Sequence, residues 1–367
     1  MSTKGDDGMK RFLHGGNIYG ADTPAGGWLD FSANINPLGL SEAVRQAVAA
    51  GISQIVHYPD PEGRALKEAL ADHYGLRREE LILGNGAAEL LYVFCHAVRP
   101  RRVLLPVPSF SEYERAALTA GAGISYYRLA PEHDFAFAAE DLIAALPDHD
   151  CVILGNPNNP TGGLLSREAI GRLAETAKKT STTVVVDESF LDFCSEEGGY
   201  TVRDLVSRLD NLLVLRSLTK FYAIPGLRLG FAAAHPALIK RLEESKDPWN
   251  VNLLAQKAGV AALGDHAYQR AARDFVEQEK LWLAEALAAI PGLTVFPPTV
   301  NFLLLRLAEP WPAAEEVCAA MRQRGILLRD CSNYPGLDHR YIRAAVRPRE
   351  ENRRLIEAFQ ACCPFEA

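Results

Sequence analysis

Short apolar runs alternate with helical patterns through the first two-thirds of the chain. The runs are "LIL" (81–83), "VLL" (103–105), "SYYRL" (125–129), "CVIL" (151–154), "TVVV" (183–186), "NLLVL" (211–215) and "LGFAAA" (229–234). Between them, segments such as "EYERAALTA" and "REAIGRLAETAKK" carry apolar residues at helical spacing. This rhythm predicts an α/β unit with a mostly parallel sheet covered by helices. Ahead of it, the stretch from His14 to Pro37 is rich in Gly, Asn and Pro and reads as an extended arm, with residues 1 to about 12 expected to be a mobile tail. Ser41 predicts the cap of a helix that runs to Ala50 and stops at Gly51. A second helix through "ALKEALADHY" stops at Gly75. After about Ala233 helices dominate to Pro291, including a long one across "RDFVEQEKLWLAEALAAI". The β runs "NFLLLRL", "GILLRD" and "YIRAAV" follow, mixed with two further helices, and predict a smaller α+β unit. The expected division is an N-terminal arm over 1–40 that partly joins the small domain, a large domain over 41–245 and a small domain over 246–367.

Composition narrows the function. The chain has 367 residues, 48% hydrophobic and 23% charged, with a net charge of -7. That is ordinary globular composition, and the acidic balance argues against a nucleic-acid partner, which would need a basic face. No apolar run is long enough to span a bilayer. The start, "MSTKGDDGMKRF", lacks the apolar core of a signal peptide. Seven cysteines without regular spacing read as reduced cytoplasmic thiols. Cys362 and Cys363 are adjacent but have no other spaced ligands, so they read as packing residues, and no metal site is expected.

Four motifs each follow or end a β run: "GNGAAEL", "GNPNNPTGG", "DES" and "RSLTK". Ligands of open parallel sheets bind beyond the carboxyl ends of the strands, so these four can converge on one edge. Gly84 and Gly86 lead into a helix near Ala87, whose exposed amides suit a phosphate. Taken alone, that motif is no more than a tight strand-to-helix turn. Asp187 closes a β-branched run and needs a partner, either a protonated ring nitrogen or a structural donor. Lys220 sits beside the hydroxyls of Ser217 and Thr219, with Arg228 further along. A neutral lysine amine can form a Schiff base with an aldehyde, and Arg offers a fork of donors to phosphate. Pyridoxal phosphate carries the matching aldehyde, phosphate and ring nitrogen. A solvated or ion-paired lysine is the plainer alternative for Lys220, but it leaves the other three motifs unexplained.

In this order, "NPNNPTG", "DES", "SLTK" and "GLRLGF" resemble the aspartate aminotransferase-like superfamily of pyridoxal-phosphate enzymes, fold type I, over nearly the whole chain. The resemblance implies a large α/β/α domain with a smaller α+β domain. It implies that Lys220 is the Schiff-base lysine, that Asp187 pairs with the pyridinium nitrogen and that Asn159 bonds the phenolic oxygen. Phe110 would stack on the ring. Gly86, Ala87, Ser217, Thr219 and Arg228 would hold the phosphate. Tyr58 in "HYPDPEG" resembles a tyrosine that reaches the phosphate from the neighbouring subunit, which implies a homodimer. Arg343 resembles the arginine that grips the substrate carboxylate.

Two subfamilies are close: histidinol-phosphate aminotransferase and the threonine-phosphate decarboxylase of cobalamin biosynthesis. "HGGN" at 14–17, "DFSANINPLG" at 30–39, "DESFLDF" at 187–193 and "LLRDCSNYPGL" at 327–337 resemble the decarboxylase. At position 190 the aminotransferase usually has a tyrosine, whose hydroxyl Phe190 lacks. The decarboxylase resemblance implies that His14 and Arg329 bind the phosphate of a phosphorylated amino acid, with Arg343 on its carboxylate and Asn159 also counted among the substrate-binding residues. Without it, His14 reads as an arm residue bonded to backbone and Arg329 as a strand residue paired with an acid. An aminotransferase remains the alternative activity. Serine phosphate remains an alternative substrate, since one methyl is worth only about 1–3 kcal/mol of discrimination. A cofactor-binding transcription regulator is disfavoured, since no segment reads as a basic helix-turn-helix.

Overall fold

The computed structural model describes residues 14–19, 23–24 and 26–365; the expected tail at 1–12 lies outside them. Thirteen strands are present among these residues: β1 (Leu29–Asp30), β2 (Leu81–Gly84), β3 (Arg102–Val107), β4 (Gly123–Arg128), β5 (Cys151–Gly155), β6 (Thr183–Asp187), β7 (Leu212–Ser217), β8 (Gly230–Ala234), β9 (Leu293–Val295), β10 (Phe302–Leu307), β11 (Ile326–Leu327), β12 (Arg329–Asp330) and β13 (Tyr341–Ala345).

Seven strands form one sheet in the order β2-β8-β7-β6-β5-β3-β4. All pairs are parallel except those of β8, which runs antiparallel to both β2 and β7. The apolar runs are continuous because both sheet faces are buried. Val184 and Val186 of β6 join one core, and Val185 joins the other. Leu212 and Val214 of β7 split from Leu213 and Leu215 in the same way. The chain is thus an α/β protein with a mixed, mostly parallel central sheet and helices on both faces.

A second sheet, antiparallel, has the order β12-β13-β10-β9. Its core gathers Leu303, Leu305 and Ile342 with Leu283, Leu287 and Phe359 of the flanking helices, and Cys362 and Cys363 pack against it. The arm joins this region: β1 pairs parallel with β11, and the Phe31 carbonyl accepts from Ala345 N at 2.8 Å. The run "GILLRD", read as one strand, is divided between two sheets, with Ile326–Leu327 in β11 and Arg329–Asp330 in β12.

Helix boundaries follow their caps. Ser41 Oγ accepts from Val44 N at the start of the helix Glu42–Gly51. The α-helix ends at Gly51 as expected, but Gly51 stays right-handed at φ -82° and a 3-10 turn continues through Ile52–Gln54. Its use is close packing, since a Cβ there would lie 2.8 Å from Lys257 Cδ and 2.9 Å from Leu254 Cδ2. Gly75 ends its helix in the left-handed conformation at φ 66°.

Candidate active site

The carboxyl ends of β2, β5, β6 and β7 lie on one edge of the large sheet, and the four motifs follow them there. They open onto a cleft of about 540 Å³. Of the residues singled out in the sequence, His14, Ala87, Phe110, Asn159, Asp187, Ser217, Thr219, Lys220, Arg228, Arg329 and Arg343 all line it. Gly86 adjoins it as the cap of the helix Ala87–Val98. Tyr58 does not line it: it is 80% exposed, and its ring lies tilted at 33° against Trp249 with centroids 4.9 Å apart.

Lys220 lies in a one-turn helix, Leu218–Phe221, that follows β7 directly. Desolvation by burial pushes its amine below the ordinary lysine value. Asp187 opposes that shift, while Arg228 and Arg343 add to it. The neutral, nucleophilic form is favoured accordingly. The arm fixes the turn from outside, since Asn36 N donates to the Lys220 carbonyl at 2.9 Å and Asn36 Nδ2 to the Phe221 carbonyl at 2.6 Å. The "DFSANINPLG" motif therefore holds the lysine's own backbone. Lys220 Nζ stands 4.9 Å from the Phe190 ring, which packs edge-on against Phe302.

Asp187 takes its partners from two sides. Tyr113 OH donates to Oδ2 at 2.9 Å and Ser189 N to Oδ1 at 2.9 Å. Burial, with the nearby Asp187 charge, drives the Tyr113 phenol well above its ordinary value, so it remains a donor. Sequence reasoning missed Tyr113. The available signal was its place three residues after Phe110 at the start of a helix, where i and i+3 share a face.

The loop after β5 separates structural asparagines from the one that faces the cleft. Asn156 bridges the loop, with Leu165 N donating to Oδ1 at 2.8 Å and Nδ2 reaching the Leu165 carbonyl at 3.1 Å. Asn158 Nδ2 donates to the Pro108 carbonyl and to Thr161 Oγ1. Asn159 instead accepts from Arg343 Nη1 at 2.5 Å. Arg343, on β13, is buried and also donates from Nη2 to the Ser32 carbonyl at 2.8 Å. Burial lowers the pKa of its guanidinium. Arg329, on β12, is buried too. It donates to Asn333 Oδ1 at 2.7 Å and to the Asp330 carbonyl, and lies over the Tyr334 ring. His14 is bonded through Nε2 to Glu112 Oε1 at 2.8 Å, so its partner is a carboxylate rather than the backbone expected of an arm residue.

At the far end, Ser217 Oγ and Thr219 Oγ1 are 2.7 Å apart beside the first turn of the helix Ala87–Val98. Two glycines permit close approach here, one to a side chain and one to backbone. A Cβ on Gly86 (φ 89°) would lie 2.5 Å from Arg228 Nη2, and one on Gly230 2.4 Å from Ala87 N. Arg228 itself holds φ 58°, a left-handed conformation that costs about 1–3 kcal/mol in a non-glycine residue and clusters at functional sites. Helix amides, two hydroxyls and a guanidinium make a phosphate cradle.

The sequence profile of aminotransferase class I and II matches residues 27–359. The chain belongs to this family. Its enzymes use pyridoxal 5'-phosphate, and the cleft fits that group. The cradle suits the phosphate and Asp187 the ring nitrogen. Ser189 Oγ and Asn34 Oδ1, both of cleft-lining residues, are buried without a partner among the described residues. The chain is similar to a threonine-phosphate decarboxylase of Salmonella typhimurium strain LT2, at 39% identity over 95% of each chain. It resembles in structure the L-threonine-O-3-phosphate decarboxylase of Porphyromonas gingivalis, with TM-score 0.81, 29% identity and coverage of 91% of this chain and 98% of that one. It is also similar to the histidinol-phosphate aminotransferase of Clostridium acetobutylicum, with TM-score 0.85, 30% identity and the same coverage.

Proposed function

We propose that this protein decarboxylates L-threonine O-3-phosphate to (R)-1-amino-2-propanol O-2-phosphate with pyridoxal 5'-phosphate, for cobalamin biosynthesis. The observation that carries this is the second cationic pole of the cleft. Beyond the phosphate cradle of Ser217, Thr219 and Arg228, the same cleft holds His14, Arg329 and Arg343. A substrate with two anionic groups, a carboxylate and a phosphate, uses all three.

When bound, pyridoxal phosphate supplies an electron sink for the electron pair left on Cα as the carboxylate departs. Asp187 would hold the ring nitrogen, Asn159 the phenolic oxygen, and Phe110 the ring face. Gly86, Ala87, Ser217, Thr219 and Arg228 would hold the cofactor phosphate. Lys220 would offer its amine in the neutral form that burial favours. Arg343 would grip the substrate carboxylate, and His14 with Arg329 the substrate phosphate. Fixing both ends sets the rotation about Cα and so which bond is broken, an orientation effect. Phe190 presents an apolar edge where a tyrosine would add a hydroxyl.

The same proposal makes the protein a cytoplasmic homodimer. All seven cysteines are free, as in a reducing compartment. Among the described residues, no helix is long and apolar enough to cross a membrane. Ile52, Ile55, Val56 and Tyr58 are 55%, 60%, 78% and 80% exposed, an apolar group of the kind that marks an interface. Tyr58 there would reach the partner's cofactor phosphate. The test is phosphorus NMR of the holoenzyme with threonine phosphate: conversion to the amino alcohol phosphate supports the proposal, and an unchanged spectrum opposes it.

A further inference from the structure

We infer, resting on the threonine phosphate assignment, that Glu112 is a positioning residue for the phosphate end of the substrate and acts through His14. Glu112 is buried in the first turn of the helix Ser111–Thr119. Its Oε1 takes His14 Nε2 at 2.8 Å and its Oε2 accepts from Tyr92 OH at 2.6 Å; Arg115 Nη1 stands 3.5 Å from Oε1. Burial works to raise its pKa, but the hydrogen bonds from His14 and Tyr92, with the charges of His14 and Arg115, bring it below the ordinary value. It is thus a carboxylate next to the place where a dianion is to bind. Directly facing a phosphate it would repel it. His14 separates the two.

The geometry specifies the atom. Nε2 of His14 is committed to Glu112, and Nδ1 makes no hydrogen bond among the described residues. The ring also rests on Phe110, with centroids 5.5 Å apart. In the doubly protonated ring one N–H goes to Glu112 and the other, Nδ1–H, to a phosphate oxygen, so the imidazolium bridges two anions. A carboxylate that orients a histidine toward its ligand in this way also supports metal-binding histidines. On an arm whose His14 side chain is 42% exposed, the carboxylate removes the rotational freedom that would otherwise weaken the contact.

A merely structural Glu112, pinning the arm, would affect all ligands alike. The test therefore compares dissociation constants for L-threonine O-3-phosphate and L-threonine, read from the absorbance of the bound cofactor in the holoenzyme. Cofactor affinity is the reference for intact folding. Glu112→Gln is expected to cut the preference for the phosphorylated ligand by about tenfold, the scale of a lost charge-assisted hydrogen bond. Glu112→Asp, which draws the charge back by one methylene, should lose it similarly and serves as the second variant. Adding Glu112→Gln to His14→Ala should lower the preference no further. A wild-type enzyme that binds both ligands equally overturns the substrate assignment and this inference together. A wild-type preference that survives Glu112→Gln and Glu112→Asp, or a further loss in the double variant, overturns this inference alone.

Discussion

Arg343 Nη1 donates to Asn159 Oδ1 at 2.5 Å, across 184 positions of sequence. The bond joins β13 of the antiparallel sheet to the loop after β5 of the mixed, mostly parallel one. It couples the proposed carboxylate anchor to the residue proposed to hold the cofactor's phenolic oxygen. The second donor of the fork, Nη2, is spent on the Ser32 carbonyl of the arm. Three separate stretches of chain therefore meet at one guanidinium.

Removing Arg343 and removing Arg329 should have different consequences. Arg343→Ala should weaken binding of both threonine phosphate and threonine, because both carry the carboxylate. Arg329→Ala should cost roughly 2–5 kcal/mol with the phosphorylated ligand, the scale for truncating a buried charged partner. With threonine the loss should be small. Dissociation constants for the two ligands check this, and an equal loss from Arg329→Ala with both would contradict the phosphate role.

Borohydride reduction of the holoenzyme followed by peptide mapping should find the pyridoxyl group on Lys220. A label on another lysine would overturn its assignment.

Lys220 should titrate below the ordinary 10.5, since burial, Arg228 and Arg343 outweigh Asp187. Between the lowered value and 10.5 the unfolded chain binds more protons than the folded one at this residue. Its contribution therefore disfavours the fold at lower pH and improves as pH rises through that window. Competitive acetylation of the cofactor-free protein across pH should give a midpoint below 10.5 for Lys220. Arg343→Gln should move that midpoint upward; a midpoint at the ordinary value in the unmutated protein would contradict the desolvated environment.

Much of this site was legible in the sequence because each motif follows a strand in a parallel sheet, and strand ends are set by local pattern. The lysine turn and Asp187 were found that way, whereas Asn159 was singled out by the resemblance of its motif to the family. What was not legible depends on contacts distant in sequence. Arg216 sits next to Ser217 on β7 but on the opposite side from the cleft. It is fully buried against Glu188 at 2.8 Å, Asp192 at 3.1 Å and Glu197 at 2.5 Å. Nothing in "VLRSLTK" announces three carboxylates, two of them brought in by the turn after β6. Tyr113, Glu112 and the Asn36 cap were hidden for the same reason: each acts on a partner that only the fold supplies.

That buried cluster makes its own prediction. Arg216→Met should destabilise the protein by about 3–5 kcal/mol, since it leaves buried carboxylates without their counter-charge. Urea denaturation of the cofactor-free protein measures this. An unchanged midpoint would show that the carboxylates re-pair or protonate at little cost.

The dimer proposal turns on Tyr58, which lies outside its own chain's cleft. Mixing Lys220→Ala chains with Tyr58→Phe chains should yield heterodimers with one unimpaired site, and activity above that of either variant alone. A fully active monomer at high dilution would contradict it.

The most direct measurement is release of carbon dioxide from carboxyl-labelled L-threonine O-3-phosphate by the purified holoenzyme, run beside amino transfer from glutamate to imidazole-acetol phosphate. The account predicts labelled carbon dioxide in step with amino alcohol phosphate, and little amino transfer. Efficient amino transfer with no labelled carbon dioxide would contradict it and leave the aminotransferase activity in its place.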